Sequence, residues 1–228
     1  MSERPHYEGH RDRLRARFRQ SGLKGMHDYE AIELMLFWAI PRRDIKPVAK
    51  ALVKRFGGFR GVLDALHEDL LAVPGVGEGA ATFLAALKES AALYLRGEVL
   101  SPGRTLSNIG AVLDYCTIAM SGLRDEQLRA IFLNSSNEVV GDEIIQEGTV
   151  NRTAVFPRKV IEQALRHNAT AMILVHNHPG GSCKPSAEDK AITLEITRVA
   201  RGLDLALHDH IIVCRNGHFS FRDHGLLR

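Results

Sequence analysis

The sequence predicts an α/β protein of the α+β type, with an all-helical N-terminal domain and a C-terminal mixed sheet flanked by helices. In the first hundred residues, apolar side chains recur at helical spacing between Gly and Pro stops. From Thr105 onward, β-branched runs alternate with helical patterns. Between them, 97–104 (GEVLSPGR) combines Gly, Ser-Pro and Gly, which is typical of a linker. We therefore predict domains at 1–100 and 105–228.

The N-terminal domain is predicted to contain helices only. Gly57-Gly58 ends the third helix, and a Pro-Gly turn precedes the last. The predicted helices are 8–19, 28–40, 46–56, the short turns 59–66 and 69–73, and an Ala- and Leu-rich helix that follows Val73-Pro74-Gly75-Val76-Gly77 and extends to about Arg96.

The C-terminal domain is predicted to alternate helices with strands. A turn at 134–137 joins the first two strands as a hairpin, and Asn216-Gly217 joins the last two. The predicted order is helix 107–120, strands 128–133 and 138–147, helix 157–167, strand 169–176, helix 187–201, and strands 205–214 and 218–221.

Composition indicates an ordinary globular protein, with 45% hydrophobic and 25% charged residues among 228. The longest apolar run, 32–40, is interrupted by Glu33, so no membrane span is predicted. The N-terminus has no apolar signal region. Three widely spaced cysteines do not resemble a disulfide framework. We therefore predict a cytoplasmic protein without disulfides.

The excess positive charge lies in the N-terminal part. Residues 1–100 hold 16 Lys and Arg against 13 Asp and Glu, whereas 101–228 is neutral. Much of this charge comes from alternate positions in the first predicted helix, Arg11, Arg13, Arg15, Arg17 and Arg19. The imbalance permits contact with nucleic acid without requiring it.

The segment from His176 to Asp189 carries the strongest chemical signal. His176 and His178 are two apart at the end of an apolar strand, so their side chains point the same way. Ser186 follows Pro185 as a predicted helix N-cap, which puts Asp189 in the first turn. Ser-x-x-Asp is usually only a cap, and His-x-His alone is weak. Together they predict an N,N,O zinc site with a fourth position open.

A zinc hydrolase also needs a general base and a donor for the developing oxyanion. The strand 138–147 offers several acids, and alternation places Glu143 and Glu147 on the face opposite to Glu138 and Asp142. Spacing alone does not choose among them. Ser186 could donate to an oxyanion as well as cap the helix.

Two other features could compete for the metal. His208 and His210 form a second His-x-His pair, with Cys214 on the same face, but no cap and carboxylate follow them. These histidines are more simply explained as core residues or as supports for metal ligands. Cys183 lies in the loop before Ser186 and could bind zinc as a thiolate, although an unligated loop thiol is the simpler interpretation.

The motif resembles the JAMM (MPN+) metalloproteases, in which His-x-His is followed after seven residues by Ser-x-x-Asp. The strings HNHPGGSCKPSAED, IFLNSSNEV, EGTVN and DHIIV resemble the bacterial RadC family across essentially the whole chain. The resemblance implies a cytidine-deaminase-like sheet flanked by helices, a zinc ion and a protein or peptide substrate. It implies metal ligands His176, His178 and Asp189, oxyanion donor Ser186 and base Glu143, which is five residues before Gly148-Thr149.

The VPGVGEGAA stretch resembles the helix-hairpin-helix segment of such proteins. Main-chain N–H groups at a helix start can bind phosphate without reading base sequence. Glu78 follows the Pro74–Gly77 turn and would repel phosphate. DNA binding and a purely structural or protein-docking role are therefore both open for the N-terminal domain. The runner-up function is a DNA-binding accessory protein in repair or recombination whose C-terminal domain is a docking module.

Overall fold

The computed structural model describes residues 9–41, 43–103, 105–106, 109–148, 157–215 and 217–227. By its internal contacts the chain divides into two compact units, Met1–Ser90 and Ala91–Arg228. This division falls inside a helix, and the predicted boundary at 100–105 stays a prediction. Among the described residues, no helix is both long and apolar enough to cross a membrane.

In the described part of the first unit, 9–41 and 43–90, all regular secondary structure is helical, as predicted. Its core is formed by apolar side chains at helical spacing, among which Ile32, Leu36, Leu52 and Leu84 are fully buried. The helices are α1 (His10–Ser21), α2 (Asp28–Ala39), α3 (Lys46–Phe56), α4 (Phe59–Leu63), α5 (His67–Leu71) and α6 (Glu78–Val99), with a 3-10 turn at Leu23–Gly25. The last of these helices continues into the second unit.

A Pro-Gly turn joins α5 to α6. Gly75 there has φ +91°, and a Cβ at this position would lie 2.8 Å from Val48 Cγ2, so both conformation and space favour glycine. Glu78, the first residue of α6, pairs with His67 Nε2 at 2.9 Å. The starts of the two helices are therefore joined by one side-chain contact, and the turn between them depends on Gly75.

The second unit is a five-stranded mixed sheet with helices on both faces, which confirms the predicted α+β class. The sheet order is β2-β1-β3-β4-β5, and only β3 and β4 are parallel. The elements are α7 (Gly110–Met120), β1 (Glu126–Leu133), β2 (Val139–Gly148), α8 (Pro157–Arg166), β3 (Ala171–Asn177), α9 (Ala187–Arg201), β4 (Ala206–Cys214) and β5 (Gly217–Ser220).

The strands β1, β3 and β4 carry apolar residues on both faces because each face packs on helices. Alternation along β3 separates two cores: Met172 and Leu174 pack with α8 and α9, whereas Ile173 and Val175 pack with α7. His176 continues the Leu174 series, so its side chain lies on the α9 face.

A β-bulge in β2 changes which acids share a face. Arg129 pairs with Ile144 but Leu128 pairs with Gln146, so Ile145 is an extra residue. The prediction that Glu143 and Glu147 share a face is wrong for this reason. Glu143 lies opposite Ala130 on the α9 face, whereas Glu147 lies opposite Gln127 on the other face.

Asp142, on the α7 face, is the centre of a buried ionic cluster. Its fully buried carboxylate accepts hydrogen bonds from Arg129 (2.6 Å), Arg96 (2.8 Å) and the Tyr115 hydroxyl (2.8 Å). Burial alone would raise the pKa of Asp142, but Arg129 and the other donors outweigh it and lower the pKa below its usual range. The cluster joins the second half of α6 to α7, β1 and β2.

Asp142→Asn should destabilise the protein at neutral pH by about 3–5 kcal/mol, because Arg129 would keep its buried charge without a counterion. A carboxylate whose pKa is lowered in the folded state stabilises the folded protein at pH values above its unfolded pKa of about 3.9. This contribution to stability is lost as the pH falls through the folded pKa. The stability gap between wild type and variant should therefore narrow in acid.

Urea unfolding at neutral pH and at about pH 3 measures this gap. Glu195→Gln, an exposed change on α9, is the control and should alter stability by less than about 0.5 kcal/mol. An equal gap at the two pH values would contradict the role assigned to Asp142.

Candidate metal centre

The candidate centre lies where β3 ends and α9 begins. Pro179 follows His178, whose main-chain N–H still donates to Val213 O at 3.0 Å, so the extended path continues to His178. The buried Asn177 side chain fixes this end against the neighbouring strand: its Oδ1 accepts from Gln127 N (2.8 Å) and its Nδ2 donates to Asp125 O (3.1 Å). Both imidazoles therefore extend from an anchored strand end.

Three side chains that the sequence predicts as ligands converge here: His176, His178 and Asp189, whose ligand atoms lie within 4.8 Å of one another. His176 Nε2 is 2.9 Å from His178 Nε2 and 3.2 Å from Asp189 Oδ1, and His178 Nε2 is 3.3 Å from Asp189 Oδ2. In a tetrahedral zinc site with bonds of about 2.0–2.1 Å, ligands are about 3.3 Å apart. The donor set and its spacing fit zinc.

His178 is oriented by the loop that follows it. Its Nδ1 lies 2.8 Å from Ser182 O, and a carbonyl oxygen only accepts, so Nδ1 carries the hydrogen. Gly181, with φ +83°, turns the loop, and its N–H donates to His178 O at 3.0 Å. In the neutral imidazole, Nε2 therefore presents a lone pair to the cluster.

Ser186 and Asp189 form a reciprocal capping box at the start of α9. Ser186 Oγ accepts from Asp189 N at 3.0 Å, and Asp189 Oδ2 accepts from Ser186 N at 2.8 Å. Burial alone would raise the pKa of Asp189, but His176 and His178, which donate from Nε2 to this carboxylate when they are protonated, outweigh it and lower the pKa strongly. The cap thus fixes an ionised carboxylate beside both imidazoles.

Glu143, the acid proposed from the resemblance, is not among the residues that converge. Its Oε1 accepts from His167 Nε2 at 3.0 Å, at the end of α8. Glu143, on β2, pairs with Ala130 at one edge of β1. His176, on β3, pairs with Leu128 at the opposite edge of β1. Glu143 is therefore two strands from β3, roughly 10 Å across the sheet.

A different acid, Glu126, lies beside the cluster. The antiparallel pairing of β1 with β3 ends at Leu128 and His176, and the same register continued by two residues would bring Glu126 level with His178 on the same face. The Asp189 carboxylate raises the pKa of His178 because it accepts a hydrogen bond from the protonated Nε2, and the negative charge of Glu126 adds to this shift. Glu126 is exposed, so its carboxylate is accessible to water and substrate.

Sequence reasoning missed Glu126 because it was outside the predicted strand, which began at Leu128. Period-two alternation from Leu128 would have placed Glu126 on the same face. Knowing that this face meets His178 additionally requires the pairing of β1 with β3, which local sequence does not reveal.

The second His-x-His pair does not form another centre. His208 Nε2 bonds to Asn137 Oδ1 at 3.0 Å. His210 is fully buried beside the cluster, with Nε2 at 2.8 Å from His176 Nδ1. Burial lowers the pKa of His210 well below its usual value, and the nearby His176 adds to this effect. His210 thus supports a ligand, which is one of the explanations that the sequence left open.

Cys183 and Cys214 form a disulfide, so the prediction of unpaired cysteines is wrong for these two. They are 31 residues apart in sequence, but the loop after β3 and the end of β4 are neighbours because the strands are parallel. Cys116 is free and buried. With its sulfur bonded to Cys214, Cys183 is not available as a fourth metal ligand.

Comparison with protein families agrees with this geometry. A family model described as the RadC-like JAB domain matches residues 106–226, more than half of the chain. The match covers the whole sheet and all three converging side chains. The chain therefore belongs to the RadC family, through a JAB domain that forms its C-terminal part.

Proposed function

We propose that this protein is a zinc-dependent hydrolase of the JAMM type that cleaves peptide or isopeptide bonds. The observation that carries the proposal is the convergence of two imidazoles and one carboxylate at 2.9–3.3 Å. Structural zinc sites are normally closed by four protein ligands, whereas catalytic sites have three and an open position. Among the described residues, the cluster contains three ligands, which supports a catalytic site.

The side chains in and around the cluster have separate proposed roles in amide hydrolysis. A zinc ion held by His176, His178 and Asp189 would supply Lewis-acid polarisation of the scissile carbonyl and acidify the attacking water. Glu126 is the acid best supported as the base, because it faces His178 and is exposed. Its carboxylate would take the proton from water and return it to the leaving amine.

Ser186 is the proposed donor to the developing oxyanion. Its Oγ accepts from Asp189 N, so the hydroxyl hydrogen is left to donate elsewhere. The capping box fixes Ser186 relative to Asp189. A donor held in this way contributes to catalysis because it needs no reorganisation when charge develops.

Zinc content is the first test. Purified wild-type protein should contain about one zinc per chain, as expected for a site with three protein ligands. His178→Ala and Asp189→Ala should contain much less, because each removes a ligand. His208→Ala is the matched control and should bind as wild type, since His208 contacts Asn137 instead. Elemental analysis after dialysis gives the ratio, and equal zinc in wild type and His178→Ala would refute the site.

The identity of the base can be tested by paired substitutions. Glu126→Gln should retain zinc and slow hydrolysis by about 10²–10⁴-fold, the usual contribution of a general base. Glu143→Gln should remain active, because Glu143 pairs with His167 away from the cluster. The rate at which each variant cleaves a library of peptides and isopeptide-linked peptides measures its activity. Loss of activity only in Glu143→Gln would return the role to that residue.

The same pair of variants can identify substrates. An inactive Glu126→Gln protein that still holds zinc should retain bound substrate proteins from a proteome, with Glu143→Gln as the comparison. Proteins captured by the first variant and cleaved by wild type would define the substrate class.

We propose DNA contact by the N-terminal unit as a second function. The supporting observation is the turn at Gly75 between α5 and α6, which leads into a helix start where the first N–H groups have no partner within the helix. Such contact would be independent of base sequence and sensitive to salt.

Gly79→Asp should weaken binding to duplex or branched DNA severalfold, because it adds a negative charge at the start of α6. Gly97→Asp is the matched control: both glycines lie in α6, and at both a Cβ would meet no atom within 4 Å. Fluorescence anisotropy over a range of salt concentrations measures both variants. Absence of wild-type binding even at low salt would refute this function.

A further inference from the structure

Three hydrogen bonds join two of the candidate metal ligands through residues outside the cluster, and the cluster itself closes this chain into a ring. His176 Nδ1 is 2.8 Å from His210 Nε2, and His210 Nδ1 is 2.6 Å from Thr193 Oγ1. Thr193 Oγ1 in turn is 2.5 Å from the main-chain oxygen of Asp189. His176, on β3, and Asp189, on α9, are thus connected through β4 as well as through the cluster itself.

The direction of every hydrogen bond in this ring follows from one carbonyl group. The Asp189 oxygen only accepts, so it receives the single hydroxyl hydrogen of Thr193. Thr193 Oγ1 must then accept from His210 Nδ1–H, which leaves His210 Nε2 as an acceptor when the buried imidazole is neutral. His210 Nε2 accepts from His176 Nδ1–H, and His176 Nε2 is left with a lone pair.

We propose that Thr193 and His210 are positioning residues that hold His176 in its metal-binding tautomer, an inference that rests on the proposed zinc site. His178 is held in the same tautomer by Ser182 O. When both imidazoles are neutral, their Nε2 lone pairs therefore face each other and the Asp189 carboxylate. A bound cation would relieve the repulsion among these acceptors.

Packing makes the ring rigid. His210 and Thr193 are 1% and 2% exposed, so water does not compete for these hydrogen bonds. Phe221 stacks on the His210 ring with centroids 4.9 Å apart. Thr193 is one helical turn after Asp189, so its hydroxyl reaches back to the Asp189 carbonyl within α9.

The acceptor for His176 is unusual for a ligand histidine. Such residues commonly donate to a carboxylate or a main-chain carbonyl, which increases their basicity. A neutral imidazole attracts the Nδ1 hydrogen less strongly than a carboxylate does. His176 would therefore be a weaker electron donor, so a bound cation would keep more of its positive charge for polarising a substrate carbonyl.

The test compares two threonines on α9 in the full-length protein. Thr193→Val removes the hydroxyl that fixes His210. Thr197→Val is the matched control, because Thr197 Oγ1 donates to Thr193 O at 2.7 Å in the same i to i−4 manner without touching a histidine. Thr193→Ser restores the hydroxyl and serves as the rescue. Thermal unfolding of the zinc-free proteins separates a folding defect from a site defect.

Zinc affinity, measured by competition with a chromophoric chelator, should fall by about 10- to 100-fold in Thr193→Val, the usual effect of removing a support of a metal ligand. Thr197→Val and Thr193→Ser should bind within a few-fold of wild type. Equal affinity in the two valine variants would overturn the proposal.

Imidazole ¹⁵N spectra of the zinc-free protein test the ring without relying on metal or activity. Wild type, Thr197→Val and Thr193→Ser should show His210 protonated at Nδ1, and Thr193→Val should lose this signature. A wild-type His210 protonated at Nε2 would overturn the proposal even if zinc binds. If zinc does not bind but His210 carries its hydrogen on Nδ1, the zinc hydrolase is refuted while the ring is retained.

Discussion

The candidate metal centre depends on the parallel pairing of β3 with β4. Parallel neighbours require a crossover, and here the crossover helix α9 must begin where β3 ends. The helix start therefore carries Ser186 and Asp189 to the two imidazoles at the strand end. The same pairing brings His210 beside His176 and Cys214 beside Cys183. One topological constraint thus assembles ligands, a supporting histidine and a covalent tether.

The two faces of the sheet carry polar clusters of different kinds. On the α7 face, Asp142 is paired with two arginines and a tyrosine, so its charge is balanced inside the protein. On the α9 face, the His176–His178–Asp189 cluster concentrates acceptors around one point. The paired carboxylate of Asp142 stabilises the fold, whereas a group of acceptors that lacks a positive charge favours binding of a cation. Alternation along the strands keeps these two environments apart.

The proposed base shows how sheet register determines chemistry. Glu143 and Glu126 are both acids on strands next to or near β3, and both lie on the α9 face. Only Glu126 is on the strand directly paired with β3, level with His178. Glu143 is one strand further away and is held by His167. A carboxylate two strands away cannot reach the same water without moving that hydrogen bond.

The sequence by itself determined the fold class and predicted which three side chains converge, because both depend on local periodicity. Alternation aligned His176 with His178, and the Ser186 cap positioned Asp189 within one turn of helix. Tertiary structure decided which acid faces the cluster, through the β1–β3 register, and it reversed the face of Glu147 through the bulge at Ile145. It also paired Cys183 with Cys214 and made His210 a support of His176. These features join residues distant in sequence, and their contacts depend on strand order and register, which local pattern does not encode.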